Sequence, residues 1–333
     1  MKTIASTPLN HYIEANFATM ENFKSIRIIF MGTPEFAVAS LDKLLQAGCN
    51  IVGVVTAPDK AAGRGMQLQQ SAVKQYASEH GLLILQPEKL KGSDFLEQLT
   101  NLHADLQIVV AFRMLPELVW NMPPMGTFNL HGSLLPQYRG AAPINWAIIH
   151  GEKFTGVTTF KLQHEIDTGD ILLTATIPIE EEETAGDLHD KMKKIGAELL
   201  LQTVKGLSDG ELMESPQISR NESKGIELKT APKIFTASCQ IDWNKPIAEI
   251  FNLIRGLSPS PTAFSFLEGK KVKIYKAKKI NIQPTVAAGE IETDKKTFLY
   301  FAGSNGYISL LELQLEGKKK IAIADFLRGY RWS

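Results

Sequence analysis

Cysteine is scarce in this chain of 333 residues, and long hydrophobic runs are missing from it. Its two cysteines, Cys49 and Cys239, are 190 positions apart, which excludes a disulfide framework and indicates a reducing compartment. No apolar run approaches the roughly 18 residues that a membrane span requires. The amino terminus lacks the basic start and the continuous apolar stretch of a signal peptide. We therefore expect a cytoplasmic protein with no membrane partner.

The glycine-rich fingerprint of a dinucleotide-binding fold is also absent. The first predicted strand, at residues 26–31, ends at Gly32-Thr33-Pro34 without the G-x-G-x-x-G spacing, and no ribose-binding acidic residue follows at the required distance. A nicotinamide cofactor is therefore not expected. The sequence shows no cluster with metal-ligand spacing either, so we predict no metal in the active site.

The net charge is zero, yet the charges are distributed unevenly. Residues 270–333 contain 13 Lys and Arg against 6 Asp and Glu, a net charge of +7, and the rest of the chain carries −7. A basic carboxyl-terminal module predicts a polyanionic partner. A solvated, lysine-rich sheet face explains the charge equally well, so charge alone leaves both interpretations open.

Hydrophobic periodicity in the first half of the chain alternates between buried strands and amphipathic helices. Short apolar strands are predicted at residues 26–31, 51–55, 82–85 and 106–111, with a helix after each of the first three. This βαβ alternation predicts an α/β fold with a doubly wound, Rossmann-like, mostly parallel sheet. Short β-like runs between residues 262 and 315 predict a small, OB-like β-barrel at the carboxyl end.

These patterns predict four segments. Residues 1–24 are expected to form an N-terminal extension without stable structure, followed by the catalytic domain at residues 25–208. Residues 209–232 are polar, with scattered Gly, Ser, Asn and Pro, and are predicted to be a linker. The β-barrel domain then occupies residues 233–333.

The most informative stretch lies where the apolar run at residues 125–130 ends. Asn129 and His131 stand two positions apart, so their side chains point to the same face of a strand. An amide can donate to an oxygen that gains negative charge, and an imidazole can act as general acid or base or as a cation beside that oxygen. Asp167, in the turn at residues 167–170, offers a carboxylate that favours the charged form of a histidine.

Two interpretations of this trio stay open from the residues alone. No activated Ser or Cys nucleophile stands beside the histidine, because Ser133 lacks a nucleophile-elbow motif. The trio then suits direct acyl-type transfer between two bound substrates. The alternative is an Asn-x-His pair that only satisfies a turn at the end of a strand.

The run NLHGSLLP at residues 129–136, followed by YRG at residues 138–140, resembles the 10-formyltetrahydrofolate-dependent formyltransferases. The similarity extends from about Arg27 to the end of the chain. It implies that Asn129, His131 and Asp167 are catalytic. It also implies a pocket for the co-substrate 10-formyltetrahydrofolate that includes Ser133, Leu134, Leu135 and Pro136.

Within this family, the chain is most similar to the branch that acts on methionyl-tRNA. The similarity rests on FMGTPEFA at residues 30–37, on the loop at residues 57–66 and on the β-rich carboxyl end. It implies formyl transfer from 10-formyltetrahydrofolate to the α-amine of initiator methionyl-tRNA, with Arg64 near the acceptor end. In the basic module, the cluster Lys318, Lys319 and Lys320 is the predicted phosphate contact. We expect a monomer, because a module matched to one tRNA needs no dimer.

Two rival functions remain at this point. A formyltransferase acting on an amino sugar nucleotide would share the trio, although the Arg64 loop and the basic module weigh against it. A non-catalytic RNA-binding protein would use the β-rich module and keep the α/β domain as a scaffold. Substitution of His131 separates this second rival from an enzyme.

The chain also departs from the family at one loop. Residues 111–116, Ala-Phe-Arg-Met-Leu-Pro, form a stretch one residue shorter than the corresponding folate-binding loop, and Arg113 stands where a small residue is common. Recognition in this region is therefore expected to differ in detail.

Overall fold

A computed structural model of the chain describes residues 22–62, 67–217 and 227–332. Contacts between Cα atoms divide the chain into two compact units that alternate along the sequence. The first unit holds the described residues of Met1–Leu135, Val157–Ala175 and Lys193–Glu222. The second holds those of Pro136–Gly156, Thr176–Met192 and Ser223–Ser333. Within the described ranges, no helix combines the length and the apolar character that crossing a membrane requires.

The amino-terminal two thirds of the chain alternate strands and helices. In chain order these are β1 (Arg27–Gly32), α1 (Glu35–Gln46), β2 (Asn50–Val55), β3 (Lys60–Ala62), β4 (Gln67–Gln69), α2 (Ala72–Glu79), β5 (Ile84–Leu85), α3 (Ser93–Asn101), β6 (Leu106–Val110), α4 (Glu117–Trp120), β7 (Thr127–His131), β8 (Arg139–Gly140), α5 (Pro143–Ile149), β9 (Phe154–Lys161), β10 (Ile171–Pro178) and α6 (Ala185–Asp209).

Seven of the strands in the described chain form one sheet, in the order β10-β9-β7-β6-β1-β2-β5. The strands from β7 to β5 are parallel neighbours, and β9 runs antiparallel to β7. All five residues of β6 are buried, which explains the continuous apolar run of a strand that is covered on both faces. The predicted Rossmann-like, mostly parallel α/β sheet is confirmed.

The strand order determines where a ligand can bind. The chain adds β2 on one side of β1 and β6 on the other, so the direction of strand addition reverses at β1. Ligands of open α/β sheets bind outside the carboxyl ends of the strands at such a reversal. The segments that follow β1, β2, β6 and β7 are therefore the ones to inspect.

The carboxyl-terminal part of the chain builds an antiparallel sheet. Its elements are β11 (Thr230–Ala231), α7 (Ile247–Gly256), β12 (Ala263–Leu267), β13 (Lys270–Ile280), β14 (Ile291–Thr293), β15 (Leu299–Ala302), β16 (Tyr307–Leu315), β17 (Ile321–Ala322) and α8 (Ile323–Gly329). Among the described residues the sheet order is β12-β13-β16-β15-β14, with β17 paired to β16. One face of α7 packs into the core of this sheet through Ile250 and Ile254. The predicted small β-rich module is confirmed.

The two units do not follow the division that the sequence predicts at residues 208 and 233. Helix α5 belongs to the second unit, because it packs on α7 and the Asn145 amide donates to the Gly256 carbonyl over 2.7 Å. At the amino end, Asn22–Lys24 form a 3-10 turn in which Phe23 is buried, so folded structure already precedes residue 25.

The segment predicted as a linker, residues 209–232, is hydrogen-bonded to strands where the structure describes it. The backbone of Ser215 pairs with that of Ile171, with N–O distances of 2.8 and 2.9 Å. In the second unit, β11 pairs in parallel with β8. Composition does not reveal this pairing, because short polar stretches look alike whether or not their backbones find a partner.

Gly140 provides a test of the pairing between β8 and β11. Its φ is +126°, and a Cβ atom there would lie 2.5 Å from the Ala231 carbonyl oxygen. Gly140→Ala should therefore lower stability by about 1–3 kcal/mol beyond the cost of a positive φ alone. Gly269→Ala is the matched control, because Gly269 has a φ of +75° and open space around its Cα. Thermal denaturation followed by circular dichroism measures both, and equal midpoints for the two variants would contradict the pairing.

Candidate active site

The carboxyl end of β7 presents two polar side chains on one face. Asn129 lies opposite Val109 of β6 and Phe160 of β9, and His131 lies opposite Thr158. His131 is buried and Asn129 is half-buried. The ring of Phe160 meets the imidazole edge-on, with 6.4 Å between the ring centroids. The structure thus brings the amide and the imidazole together on a rigid strand beside an apolar wall.

Asp167 completes the trio. Its Oδ2 lies 3.9 Å from Nδ1 of His131, and both side chains are largely buried. This separation is too long for a hydrogen bond, but it keeps the carboxylate within ion-pair reach of an imidazolium. Asp167 has a φ of +55°, a left-handed conformation that non-glycine residues seldom adopt outside tight turns and functional sites.

Gln217 holds the loop that carries Asp167. Its Nε2 donates to the carbonyl of Asp167 over 3.0 Å and to the carbonyl of Gly169 over 2.7 Å. Gly169 packs against the backbone of β9 so closely that a Cβ atom would lie 1.6 Å from the Lys161 carbonyl oxygen. The position of the carboxylate therefore depends on a residue from the segment that the sequence predicts to be a linker.

The predicted folate-pocket residues form a turn directly after β7. Thr158 fixes this turn, because its hydroxyl donates to the Ser133 carbonyl over 2.7 Å and accepts from the Leu135 amide over 3.2 Å. The side chains of Ser133 and Leu135 are buried, whereas Leu134 and Pro136 are half-exposed. A ligand at this turn would meet Leu134, Pro136 and backbone groups rather than the serine hydroxyl.

In the second unit, the YRG segment is held by a half-buried polar network. The hydroxyl of Tyr138 donates to Glu152 Oε1 over 2.6 Å, and Lys229 Nζ approaches the same oxygen at 2.6 Å. Burial, and then the Glu152 carboxylate, raise the pKa of Tyr138, so the phenol remains a proton donor. The Tyr138 amide also donates to the Lys229 carbonyl over 2.8 Å. Lys229 thus ties the segment by both its side chain and its backbone.

A cleft of about 700 Å³ opens at the ends of β1, β2 and β6. Its lining residues are Thr33, Pro34, Ala57, Pro58, Asp59, Lys60, Glu88, Ala111, Phe112 and Arg113. Hydrogen bonds from Lys74, over 2.5 Å, and from Gln86, over 2.8 Å, lower the pKa of Asp59. The cleft therefore combines an apolar lining with one fixed carboxylate, at the position that the strand order predicts for a ligand.

The loop with the predicted tRNA contact begins in the wall of this cleft. Lys60–Ala62 and Gln67–Gln69 pair as an antiparallel hairpin, with Lys60 opposite Gln69. Arg64 lies outside the described residues, so its contact stays a prediction. Leu68, on the returning strand of the hairpin, is 73% exposed.

A face of the carboxyl-terminal sheet combines lysines with aromatic rings. Six of the eleven residues of β13 are lysines. Lys271 Nζ lies 3.6 Å from the ring centroid of Phe264, and Lys320 Nζ lies 5.3 Å from that of Tyr275. Lys318 and Lys319 are exposed. Lys320 also pairs with Glu312 over 2.9 Å, so part of its charge is neutralised locally.

Comparison with known proteins agrees with this arrangement. A family model described as "Formyl transferase" matches residues 25–204, and one described as "Formyl transferase, C-terminal domain" matches residues 233–331. The methionyl-tRNA formyltransferase of Bacteroides fragilis is 51% identical over 312 residues, covering 92% of this chain and 96% of that protein. The enzyme of the same name from Phocaeicola vulgatus is 54% identical over 318 residues, covering 93% and 97%.

The chain belongs to the methionyl-tRNA formyltransferase family. A more distant likeness concerns the fold alone. An N-formyltransferase from Helicobacter canadensis, solved in complex with folinic acid and dTDP-3-aminofucose, has a TM-score of 0.61 at 20% identity. The match covers 86% of this chain and 98% of that one.

Family membership and geometry together show which residues the sequence analysis missed. It placed Asn129, His131 and Asp167, which the structure brings together. It did not single out Thr158 or Gln217, because a threonine in a strand and a glutamine in a polar stretch carry no motif. Each acts on backbone atoms of a loop that is distant in sequence, and only the fold reveals that contact.

Gln217→Leu should lower kcat by roughly 10- to 100-fold, because the variant releases two carbonyls that fix Asp167 and lets the carboxylate move away from His131. Thermal stability should change little, since the bonds lie at one end of a surface loop. Gln202→Leu, at an exposed position of α6, is the control. Formyl transfer at saturating substrates is the measurement, and equal kcat values for both variants would show that the tie is not needed.

Proposed function

We propose that Asn129, His131 and Asp167 carry out the reaction of this family in the chain. That reaction is transfer of the formyl group of 10-formyltetrahydrofolate to the α-amine of methionyl-tRNA. The observation that carries the proposal is the trio itself: an amide and an imidazole on one face of β7, with a carboxylate 3.9 Å from the imidazole. The arrangement provides a hydrogen-bond donor, a cation and its counter-ion, without a serine or cysteine nucleophile among them.

The proposed mechanism is direct attack. The neutral amine of the methionyl ester attacks the formyl carbon, a new C–N bond forms, and the carbonyl oxygen becomes negatively charged. The Asn129 amide and the His131 imidazolium stabilise that oxyanion. The bond to N10 of the folate then breaks, and the amine proton passes to N10 through a water that Asp167 positions. The products are N-formylmethionyl-tRNA and tetrahydrofolate.

We place the two substrates on opposite sides of β6. The folate would lie by the turn after β7, against Leu134 and Pro136 and close to the Asp167 loop. The aminoacyl end of the tRNA would then enter the cleft at β1, β2 and β6, whose apolar lining suits a methionine side chain. The hairpin that carries Arg64 starts at Lys60 in the wall of the same cleft, which supports this placement.

The tRNA interface would extend over the carboxyl-terminal sheet. Lysines stacked on aromatic rings suit phosphates and exposed bases, because the ring orders the side chain while the ammonium remains available. We propose Lys318 and Lys319 as phosphate contacts of this face, with Lys320 weaker because of Glu312. We further propose initiator tRNA as the cognate species, a monomer as the active form and the cytoplasm as its location. The domain limits 25–208 and 233–333 are proposed on the same basis.

His131→Ala tests the trio. Loss of the imidazole should lower kcat by roughly 10²- to 10⁴-fold while the Kd for methionyl-tRNA stays within about twofold, because the histidine acts on the transition state. His80→Ala is the control, since His80 is exposed at the end of α2. Rates come from formyl transfer with mass-spectrometric detection, and affinities from filter binding. An unchanged rate would refute the mechanism, and a parallel loss of affinity would make His131 a binding residue.

Charge reversal tests the basic face. Lys318→Glu combined with Lys319→Glu should raise KM for methionyl-tRNA and flatten the dependence of log KM on log salt. Each lost phosphate contact should reduce that slope by about 0.7–0.9. Lys320→Glu alone should have a smaller effect, because its partner Glu312 already offsets its charge. If KM and slope stay at the wild-type values, the cluster is only a solvated face.

A further inference from the structure

The loop after β6, in which the chain departs from its family, is tied to another loop by Arg113. The strand ends with a sharp turn at Ala111, whose φ is +48°. Two residues later, the Arg113 guanidinium donates to the carbonyl of Glu88 over 3.0 Å and to the carbonyl of Pro87. The same guanidinium lies 5.7 Å from the ring centroid of Phe112. Phe112 and Arg113 both line the cleft, so this tie is part of its wall.

The segment that accepts these bonds is also fixed from the opposite wall. Gln86 Nε2 donates to the carbonyl of Ala57 over 2.8 Å and to Asp59 Oδ1 over 2.8 Å. Residues 86–88 therefore bridge the loop after β2 and the loop after β6. The bridge connects the two walls, so it determines the distance between them.

The register of the sheet links this bridge to the catalytic trio. Val110, the last residue of β6, lies opposite Leu130 of β7, so the turn at Ala111 begins beside His131. A shift of the Arg113 loop would therefore change how a group held in the cleft faces the imidazole. An error of about 1 Å in that placement can cost two orders of magnitude in rate.

We propose that Arg113 is a positioning residue which, together with Gln86, sets the width of the cleft for the aminoacyl end of the tRNA. The inference rests on the proposed function, because it adopts that assignment of the cleft. Arginine suits the role since its planar fork reaches two successive carbonyls at once, which a lysine ammonium does with less geometric control. The one-residue shortening of the loop brings this arginine to a site where a small residue is common in the family.

The main competing role is direct contact with a tRNA phosphate, because Arg113 is exposed and charged. The two roles differ in salt dependence. A lost phosphate contact reduces the slope of log KM against log salt, whereas a misplaced wall shifts the whole line without changing its slope.

The experiment compares Arg113→Met, Gln86→Met and the control Lys91→Met in the full-length enzyme. Lys91 is an exposed cation in the same inter-strand stretch, and its loss reports the general effect of one charge on tRNA binding. KM for methionyl-tRNA, KM for 10-formyltetrahydrofolate and kcat are measured at several salt concentrations, with thermal midpoints to confirm folding.

We expect Arg113→Met and Gln86→Met each to raise KM for methionyl-tRNA about tenfold at an unchanged salt slope. KM for the folate should stay within about twofold of the wild-type value, and the double variant should be little worse than either single one, because both break one bridge. Lys91→Met should behave as the wild type. A reduced slope in Arg113→Met would make Arg113 a phosphate contact, and a raised KM for the folate would assign the cleft to the other substrate. Either result, or unchanged constants, overturns the inference.

The wild-type enzyme in the same assay tests the proposed function by itself. If it does not formylate methionyl-tRNA, the substrate assignment fails first. If it does and the variants are unaffected, only the role of Arg113 fails. Gln86→Met keeps the test decisive if Arg113→Met does not fold, because it opens the same bridge from the opposite wall.

Discussion

Hydrogen bonding of β7 along both edges is the constraint on which the site depends. A parallel ladder to β6 and an antiparallel ladder to β9 leave this strand no freedom to slide, and a slip of one residue would turn Asn129 and His131 to the other face. The antiparallel partner has a second consequence. It places Thr158 beside the turn after β7 and starts the loop that returns Asp167 to His131. An all-parallel sheet would need a long crossover to bring the same groups together.

Around this rigid strand, loops are fixed by side chains that bind backbone carbonyls. Gln217 binds the carbonyls of the Asp167 loop, Thr158 binds that of Ser133, and Arg113 binds two carbonyls beside the cleft. Each such bond restricts a segment that otherwise loses about 1–2 kcal/mol of backbone entropy per residue when it orders. Because the restriction is present before substrate arrives, binding energy need not be used to order the loops. Reactive groups on loops thus gain the precision of groups on strands.

The sequence predicted what periodicity and motif encode. The apolar strands of the first half and the Asn-x-His pair at the end of β7 were predicted from spacing, because a buried parallel strand must be apolar throughout. The resemblance added Asp167, whose distance from His131 in the chain gives no hint of contact. Long-range ties such as Gln217 were not predictable, since a single glutamine in a polar stretch has many possible partners. The same reason explains why residues 209–232 resembled a linker although part of the segment pairs with β8 and another part with Ile171.

Charge alone left the carboxyl-terminal module open between a partner surface and a solvated face, and geometry adds an argument for the partner. Alternation along β13 sends Val272 and Ile274 into the core, so the lysines between them must share the outer face. There, Lys271 lies on Phe264 and Lys320 on Tyr275, which restricts their stems and reduces the entropy lost on binding a phosphate. The net charge of the whole chain matters little, since screening over about 8 Å at physiological salt isolates this face from acidic regions farther away. A neutral chain can therefore bind a polyanion when its cations are ordered on one sheet face.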